Sequence, residues 1–272
     1  MRKRVIITSD VHYCGRDWCG VDKDRRMEQF VVKLQSEYER DPYEMILILG
    51  DVSLDFWKWN EKGSYLTQGR AYTGEFIETY CSRFPVPFYL IAGNHEQYGE
   101  EAWQKLTGFS RQFDVQLGNF VFVLLDTYAG GLDPTEHHDG VYTGIDAAYL
   151  EERLACYPDK KIILCSHYFD FSRESEEAKQ LVCDDRILCL FCGHTHKCNV
   201  VTLPEELDGK KLIFTGNYGA EIPDRCMWGF RDLVLTDNAL TSAYFTATNT
   251  LSFKGETYST GDTTCDEVTV TF

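Results

Sequence analysis

Short apolar runs, each cut off by a polar cluster at its carboxyl end, recur along the first two thirds of the chain. Arg4-Val5-Ile6-Ile7-Thr8-Ser9, Met45-Ile46-Leu47-Ile48-Leu49 and Pro87-Phe88-Tyr89-Leu90-Ile91-Ala92 are too continuous for half-exposed strands and too short for helices. They predict strands buried on both faces. Asn119 to Asp126, Lys161 to Cys165 and Arg186 to Cys192 read the same way. Between these runs the period lengthens. Met27, Phe30, Val31, Leu34 and Tyr38 step by three and four residues, predicting a helix that Asp41-Pro42 stops. Further helices are expected around Glu75-Phe76-Ile77, from Glu100 to Leu106, and after Asp146, an N-cap that sets Ala147, Leu150, Leu154 and Tyr157 on one face. A charged helix is expected at about 172–182. From Asn199 onward only strand-like runs remain: Val200 to Leu203, Leu212 to Thr215, Leu233 to Thr236, Thr241 to Ala247 and Val268 to Phe272. This order predicts an α/β protein of two packed sheets with helices outside. No linker or repeat interrupts it, so residues 1–272 are read as one domain, with an insertion at about 52–73 and a strand-rich part at about 199–272.

The polar clusters at the strand ends carry the candidate chemistry. They are Asp10-Val11-His12, Gly50-Asp51, Gly93-Asn94-His95-Glu96, Ser166-His167 and Gly193-His194-Thr195-His196. Five of the seven histidines lie in these islands. In open α/β sheets ligands bind beyond the carboxyl ends of the strands, so the islands converge on one site. Carboxylate, imidazole and one amide oxygen suit Zn, Mn, Fe and similar ions. Asp10, His12, Asn94, His167, His194 and His196, with Asp51 besides, are too many for one ion with open positions. Two ions sharing a bridging carboxylate use the set well.

Asp10-x-His12, Gly50-Asp51, Gly93-Asn94-His95-Glu96, the lone His167 and Gly193-His194-x-His196 together resemble the calcineurin-like metallophosphoesterases, in that family's order and over residues 4 to 196. The resemblance implies a four-layer αββα sandwich, two mixed sheets flanked by helices, with a dinuclear metal site at the strand ends. It implies that Asp10, His12 and His196 hold one ion, that Asn94, His167 and His194 hold the other, and that Asp51 bridges them. His95 matches the family's catalytic histidine, which is not a ligand. The ions, Mn, Fe, Zn or Ni, would lower the pKa of a bridging water to give a hydroxide and clamp the phosphate oxygens. His95 would act as general acid on the leaving oxygen. A carboxylate orienting His95 is expected, with Glu96 and Asp55 the candidates nearby in sequence.

The implied activity is metal-dependent hydrolysis of a phosphomonoester or phosphodiester, of a small molecule or a nucleotide. Protein phosphatases of the superfamily carry Gly-Asp-x-x-Asp-Arg-Gly and an arginine before Gly-Asn-His-Glu. Here Gly50-Asp51 continues as Val52-Ser53-Leu54-Asp55, and Ala92 precedes Gly93, which weakens that alternative. The other rival is a non-catalytic scaffold that binds metal or a protein partner.

Composition narrows the partners. Apolar residues make up 43% of the 272, ample for a core. A net charge of −16, from 27 Lys and Arg against 43 Asp and Glu, disfavours nucleic acid and anionic membranes. No stretch reaches the roughly 20 apolar residues of a membrane span. The 11 cysteines form no repeating framework, and a reducing cytoplasmic compartment is expected.

Several features take plain readings. Cys189 and Cys192 are read as core residues on opposite faces of a strand, and Cys14 and Cys19 as incidental loop thiols. His137-His138 is read as a solvated loop pair, and Arg173 to Glu177 as a solvated helix face. Phe56, Trp57 and Trp59 are either a wall over the substrate or a satellite hydrophobic cluster.

Overall fold

The apolar runs form strands where their continuity places them. In the computed structural model, which describes residues 2–57, 71–219, 227–247, 249–261 and 263–272, the chain opens with β1 (Lys3–Thr8), α1 (Lys23–Arg40) and β2 (Met45–Leu49). It continues through α2 (Tyr72–Thr79), β3 (Phe88–Ile91), α3 (Glu100–Thr107), β4 (Phe113–Leu117) and β5 (Phe120–Leu125). Then come α4 (Ala147–Cys156), β6 (Lys161–Ser166), α5 (Glu176–Val182) and β7 (Ile187–Cys192). The remaining strands are β8 (Val200–Thr202), β9 (Lys211–Phe214), β10 (Gly229–Leu235), β11 (Ala239–Thr246), β12 (Asn249–Phe253), β13 (Glu256–Thr260) and β14 (Thr263–Thr271).

Two six-stranded sheets result, ordered β14-β11-β10-β1-β2-β3 and β4-β5-β6-β7-β9-β8, besides the β12-β13 hairpin. Strands β1, β2 and β3 run parallel, as do β5, β6, β7 and β9, while the outer pairings are antiparallel. Alternation along each strand sorts the core into three layers. Ile6, Ile46 and Ile48 face Met27, Phe30 and Leu34 of α1, with Phe76 and Trp103 beside them. Val5, Ile7, Leu47 and Leu49 face Phe122, Leu124, Ile163 and Phe191 across the gap between the sheets. Val121, Val123, Ile162 and Leu164 face Leu150 and Leu154 of α4 and Val182 of α5. The order is therefore helix, sheet, sheet, helix. Cys189 belongs to the inter-sheet layer and Cys192 to the outer one, as residues three apart on a strand must. Among the described residues no helix is long and apolar enough to cross a membrane.

Some expectations need correction. The charged helix starts at Glu176, capped by Ser175, not at 172. Glu174 precedes the cap and is no solvated face: it is buried, accepts the Tyr142 hydroxyl and takes the Ile145 N–H at 2.9 Å. Strand β4 and the β12-β13 hairpin were not expected. Trp59 and most of the expected insertion lie outside the described residues.

Arg111 pins the loop after β3 to the second sheet. Its guanidinium pairs with Asp126 at 2.6 Å and donates to the carbonyls of Glu96, Tyr98 and Tyr128. Both partners are buried. Arg111→Ala leaves the buried Asp126 carboxylate with the Tyr128 N–H but no counter-charge, and three carbonyls without the guanidinium, so we expect about 3–5 kcal/mol lower unfolding free energy in denaturant titration. A loss below 1 kcal/mol would show that water replaces the guanidinium.

Candidate active site

Five of the parallel strands deliver candidate side chains within four residues of their last one. Asp10 and His12 follow β1, Asp51 follows β2, Asn94 and His95 follow β3, His167 follows β6, and His194 and His196 follow β7. The backbone is bent sharply there. Asp10, His12, Asp51, His194 and His196 all hold left-handed φ values, between 48° and 63°. Non-glycine residues avoid this region, and clusters of them are typical of functional sites. Two glycines let the backbones close in. A Cβ on Gly93 would lie 2.2 Å from Asp51 Oδ1, and one on Gly193 would lie 2.5 Å from Asp10 Oδ2. We expect Gly93→Ala to displace the Asp51 carboxylate and lower metal content measured by elemental analysis. Full occupancy in that variant would count against the placement of Asp51.

All seven candidate ligands come together. Asp10, His12 and His196 offer ligand atoms within 4.8 Å of one another, as do Asp51, His167 and His194. Asn94 Oδ1 lies 3.0 Å from His167 Nε2 and 2.9 Å from His194 Nδ1. Asp51 Oδ2 stands between the groups, 3.1 Å from His167 Nε2 and 3.6 Å from His12 Nε2.

The fixed hydrogen bonds leave particular atoms facing inward. Asp10 Oδ2 accepts the Ser9 hydroxyl and the His194 N–H, and Ser9 is held in turn by Thr215 at 2.7 Å. Asp10 Oδ1 and His12 Nε2 are buried and have no hydrogen-bond partner among the described residues. His167 Nδ1 donates to the Leu49 carbonyl at 2.8 Å, which turns the Nε2 lone pair toward Asp51. Orphaned buried acceptors of this kind, aimed at each other, are what a cation satisfies. The donor set fits two ions.

The electrostatics divide the histidines. Burial pushes His12 and His194 down to about 4, so both rings are neutral and ligand-ready near pH 7. Burial opposes charge on His167 as well, but Asp51 outweighs it and lifts the ring to about 9. Asp51 itself is held well below the usual carboxylate range: the His167 and His95 charges overcome its burial.

His95 lies against these groups: it, His12 and Asp51 also offer ligand atoms within 4.8 Å of one another, with His95 Nε2 3.7 Å from Asp51 Oδ2. Its Nδ1 lies 2.7 Å from Asp139 Oδ1. Neither expected carboxylate orients it. Glu96 is committed to backbone, accepting the N–H groups of Asp51, Ser53 and Gly93 at 2.7–3.0 Å. Asp55 caps α2 through the N–H groups of Tyr72 and Thr73 and takes the Tyr98 hydroxyl. Asp139 arrives from a loop closed by the Gly130–Val141 bridge and tied to β3's end by Gly140 N–H to Asn94 O, at 2.7 Å. Burial works against the His95 cation, yet Asp51 and Asp139 raise it to about 9.

Other residues were not visible beforehand. Arg26 of α1 is fully buried and donates to the carbonyls of Val11, His12 and Tyr218, locking the bend that carries His12. Tyr128 and Tyr168 pack against His194 at 5.8 and 4.7 Å between ring centroids. Phe56 packs on Tyr98, and Trp57 packs against the helix-side core while lying 6.4 Å from the His95 ring and 5.8 Å from that of His138. His138 is thus partly buried at the site's edge, which corrects the reading of a solvated pair; His137 is exposed as expected. Cys14 is buried in the core with Cys19 against it.

Residues 3–198 match a family model described as calcineurin-like phosphoesterase. No curated protein matches the sequence. The fold is similar to a dimetal phosphatase from Danio rerio, with TM-score 0.69 and 13% identity over 99% of this chain and 98% of that one. It is also similar to purple acid phosphatase PPD1 from yellow lupin (Lupinus luteus) seeds, with TM-score 0.59 and 14% identity over 100% of this chain and 54% of that one. A third similar structure is GAP50, the anchor in the inner membrane complex of Plasmodium, with TM-score 0.54 and 13% identity over 96% and 89%. At these identities the likeness is one of fold.

Proposed function

This chain belongs to the calcineurin-like phosphoesterase family, and from that premise we propose that it hydrolyses small organic phosphoesters, nucleotides included, at a two-metal centre. The observation that carries the proposal is the convergence of Asp10, His12, Asp51, Asn94, His167, His194 and His196 around two orphaned buried atoms, with His95 beside them. A fold shared with an anchor protein does not itself decide for catalysis, but an intact ligand set with a non-ligand histidine favours it.

Asp10, His12 and His196 would hold one ion, Asn94, His167 and His194 the other, with Asp51 between them. Such a pair supplies hydroxide from water at neutral pH and offsets charge on the phosphoryl group. The chain's own residues do the rest. His95, held by Asp139, gives its Nε2 proton to the departing oxygen. Trp57 borders that side, with the His138 ring beside it, and its indole offers a flat apolar face to the leaving group. The run Val52 to Asp55 and Ala92 is buried, with Asp55 spent on capping α2, which supports a small substrate over a phosphoprotein. We take the whole chain as one domain, since β10, β11 and β14 of the C-terminal part extend the sheet begun by β1.

Asp139→Asn is expected to lower kcat about 10–100-fold, as losses of orienting partners do. Because Asp139 raises the His95 pKa, its removal lets the ring lose its proton sooner. The alkaline limb of the rate profile should therefore move to lower pH, and an unmoved limb would reject the pairing. The activity itself is tested by metal content per chain together with turnover of p-nitrophenyl phosphate and bis-p-nitrophenyl phosphate. About two ions and turnover of either ester support the proposal. Metal-loaded protein inert toward both esters and toward nucleotides would point to the scaffold reading.

A further inference from the structure

A second group of metal-ligating side chains lies outside the site just described. Cys198 is two residues beyond His196, while Cys265 and Asp266 are neighbours on β14. The two sulfurs and a carboxylate oxygen lie within 4.8 Å of one another, with Cys198 Sγ 3.1 Å from Asp266 Oδ2.

Adjacent residues of a regular strand point to opposite faces, so Cys265 and Asp266 should not be able to share a ligand. A bulge makes it possible. Tyr244 of β11 pairs with Cys265, but Ser242 pairs with Val268, so Asp266 and Glu267 together oppose Ala243. Asp266 takes a left-handed φ of 50°, the conformation that Asp10 and Asp51 adopt at the other centre. Bulges re-aim side chains in this manner. The two segments are also held at fixed separation by one buried guanidinium. Arg231 of β10 donates to the Asp266 carbonyl at 2.6 Å, to the Cys198 carbonyl, and to the Phe214 carbonyl at 3.0 Å.

We propose that Cys198, Cys265 and Asp266 form a binding site for a thiophilic divalent cation of the Zn²⁺ class. Ligand atoms around a tetrahedral zinc ion stand roughly 3.3–3.9 Å apart, which small side-chain rotations reach from the observed spacing. Two sulfurs select zinc or cadmium over magnesium or manganese. Three protein ligands leave a fourth position for water. The ion would fasten β14 to the segment leaving the first centre. This site is independent of the catalytic proposal, because it shares no ligand with the dinuclear set.

Sulfur separates this site from the first centre. The chain, fully reduced and then freed of reductant, is titrated with Cd²⁺, and the ultraviolet charge-transfer band of the cadmium–thiolate bond is followed. The seven ligands of the first centre contain no sulfur and contribute nothing to that band. We expect the band to saturate with one cadmium bound through sulfur per chain and to vanish in Cys198→Ser and Cys265→Ser. Asp266→Asn should keep the band but need at least about tenfold more Cd²⁺ to half-saturate it. Cys265 is exposed, so its serine variant guards against misfolding as the cause of loss. No band in the reduced wild-type chain, or a band that persists in the double serine variant, overturns the proposal.

Discussion

Asp51→Asn is expected to lower phosphoester turnover on the order of 10⁴-fold, the scale of losing one member of a catalytic unit. It should also leave the chain with fewer than two bound ions. The carboxylate is fully committed: Oδ1 takes the His95 N–H at 3.0 Å, while Oδ2 faces the Nε2 atoms of His12, His95 and His167. An amide keeps the shape but removes the charge that offsets two cations and the His95 proton. Elemental analysis and turnover, measured on the same preparation, check both halves. Retained metal with lost turnover would mean that Asp51 acts on the reaction without holding an ion. Retained turnover would remove the bridging assignment altogether.

His95→Asn should behave differently. We expect kcat to fall roughly 10²–10⁴-fold, the range for losing a general acid, with metal content unchanged. The loss should also depend on the leaving group. Nitrophenolate departs readily without a proton, whereas an alkoxide does not, so an alkyl phosphate should suffer more than p-nitrophenyl phosphate. Equal losses for both substrates would reassign His95 from proton donor to electrostatic stabiliser of the phosphoryl group.

Most of the candidate site was legible because each candidate ligand follows closely on a largely buried strand. The apolar run gives the strand, and the polar island that ends it has only one direction to face. Asp139 offered no such cue. It lies in a loop rich in glycine, and what brings it to His95 is a backbone hydrogen bond from Gly140 to Asn94 and the closure at Gly130 and Val141. Backbone closure leaves no mark in hydrophobic periodicity. Glu96 and Asp55 were nearer in sequence but were already occupied by backbone N–H groups, a competition invisible without coordinates. Strand β4 has no continuous apolar run; its mark is instead the alternation of Phe113, Val115 and Leu117 with Asp114 and Gln116, which suits a half-exposed sheet edge. The β12-β13 hairpin buries Leu251 but otherwise carries few apolar side chains, too few to signal itself. Glu174 was misplaced by a single turn of helix. Once the helix begins at Glu176, the preceding residue before Ser175 folds inward to receive Tyr142.

The left-handed backbones of Asp10, His12, Asp51, His194 and His196 have a bearing on how long the protein lasts in a cell. Each such residue is disfavoured by roughly 1–2 kcal/mol, so the five together rival the whole 5–15 kcal/mol by which a domain of ordinary stability stays folded. Ligands that bind only the folded chain return that deficit by mass action. The supply of metal would then govern not only catalytic output but turnover of the polypeptide itself, with starved molecules surrendered to proteolysis first.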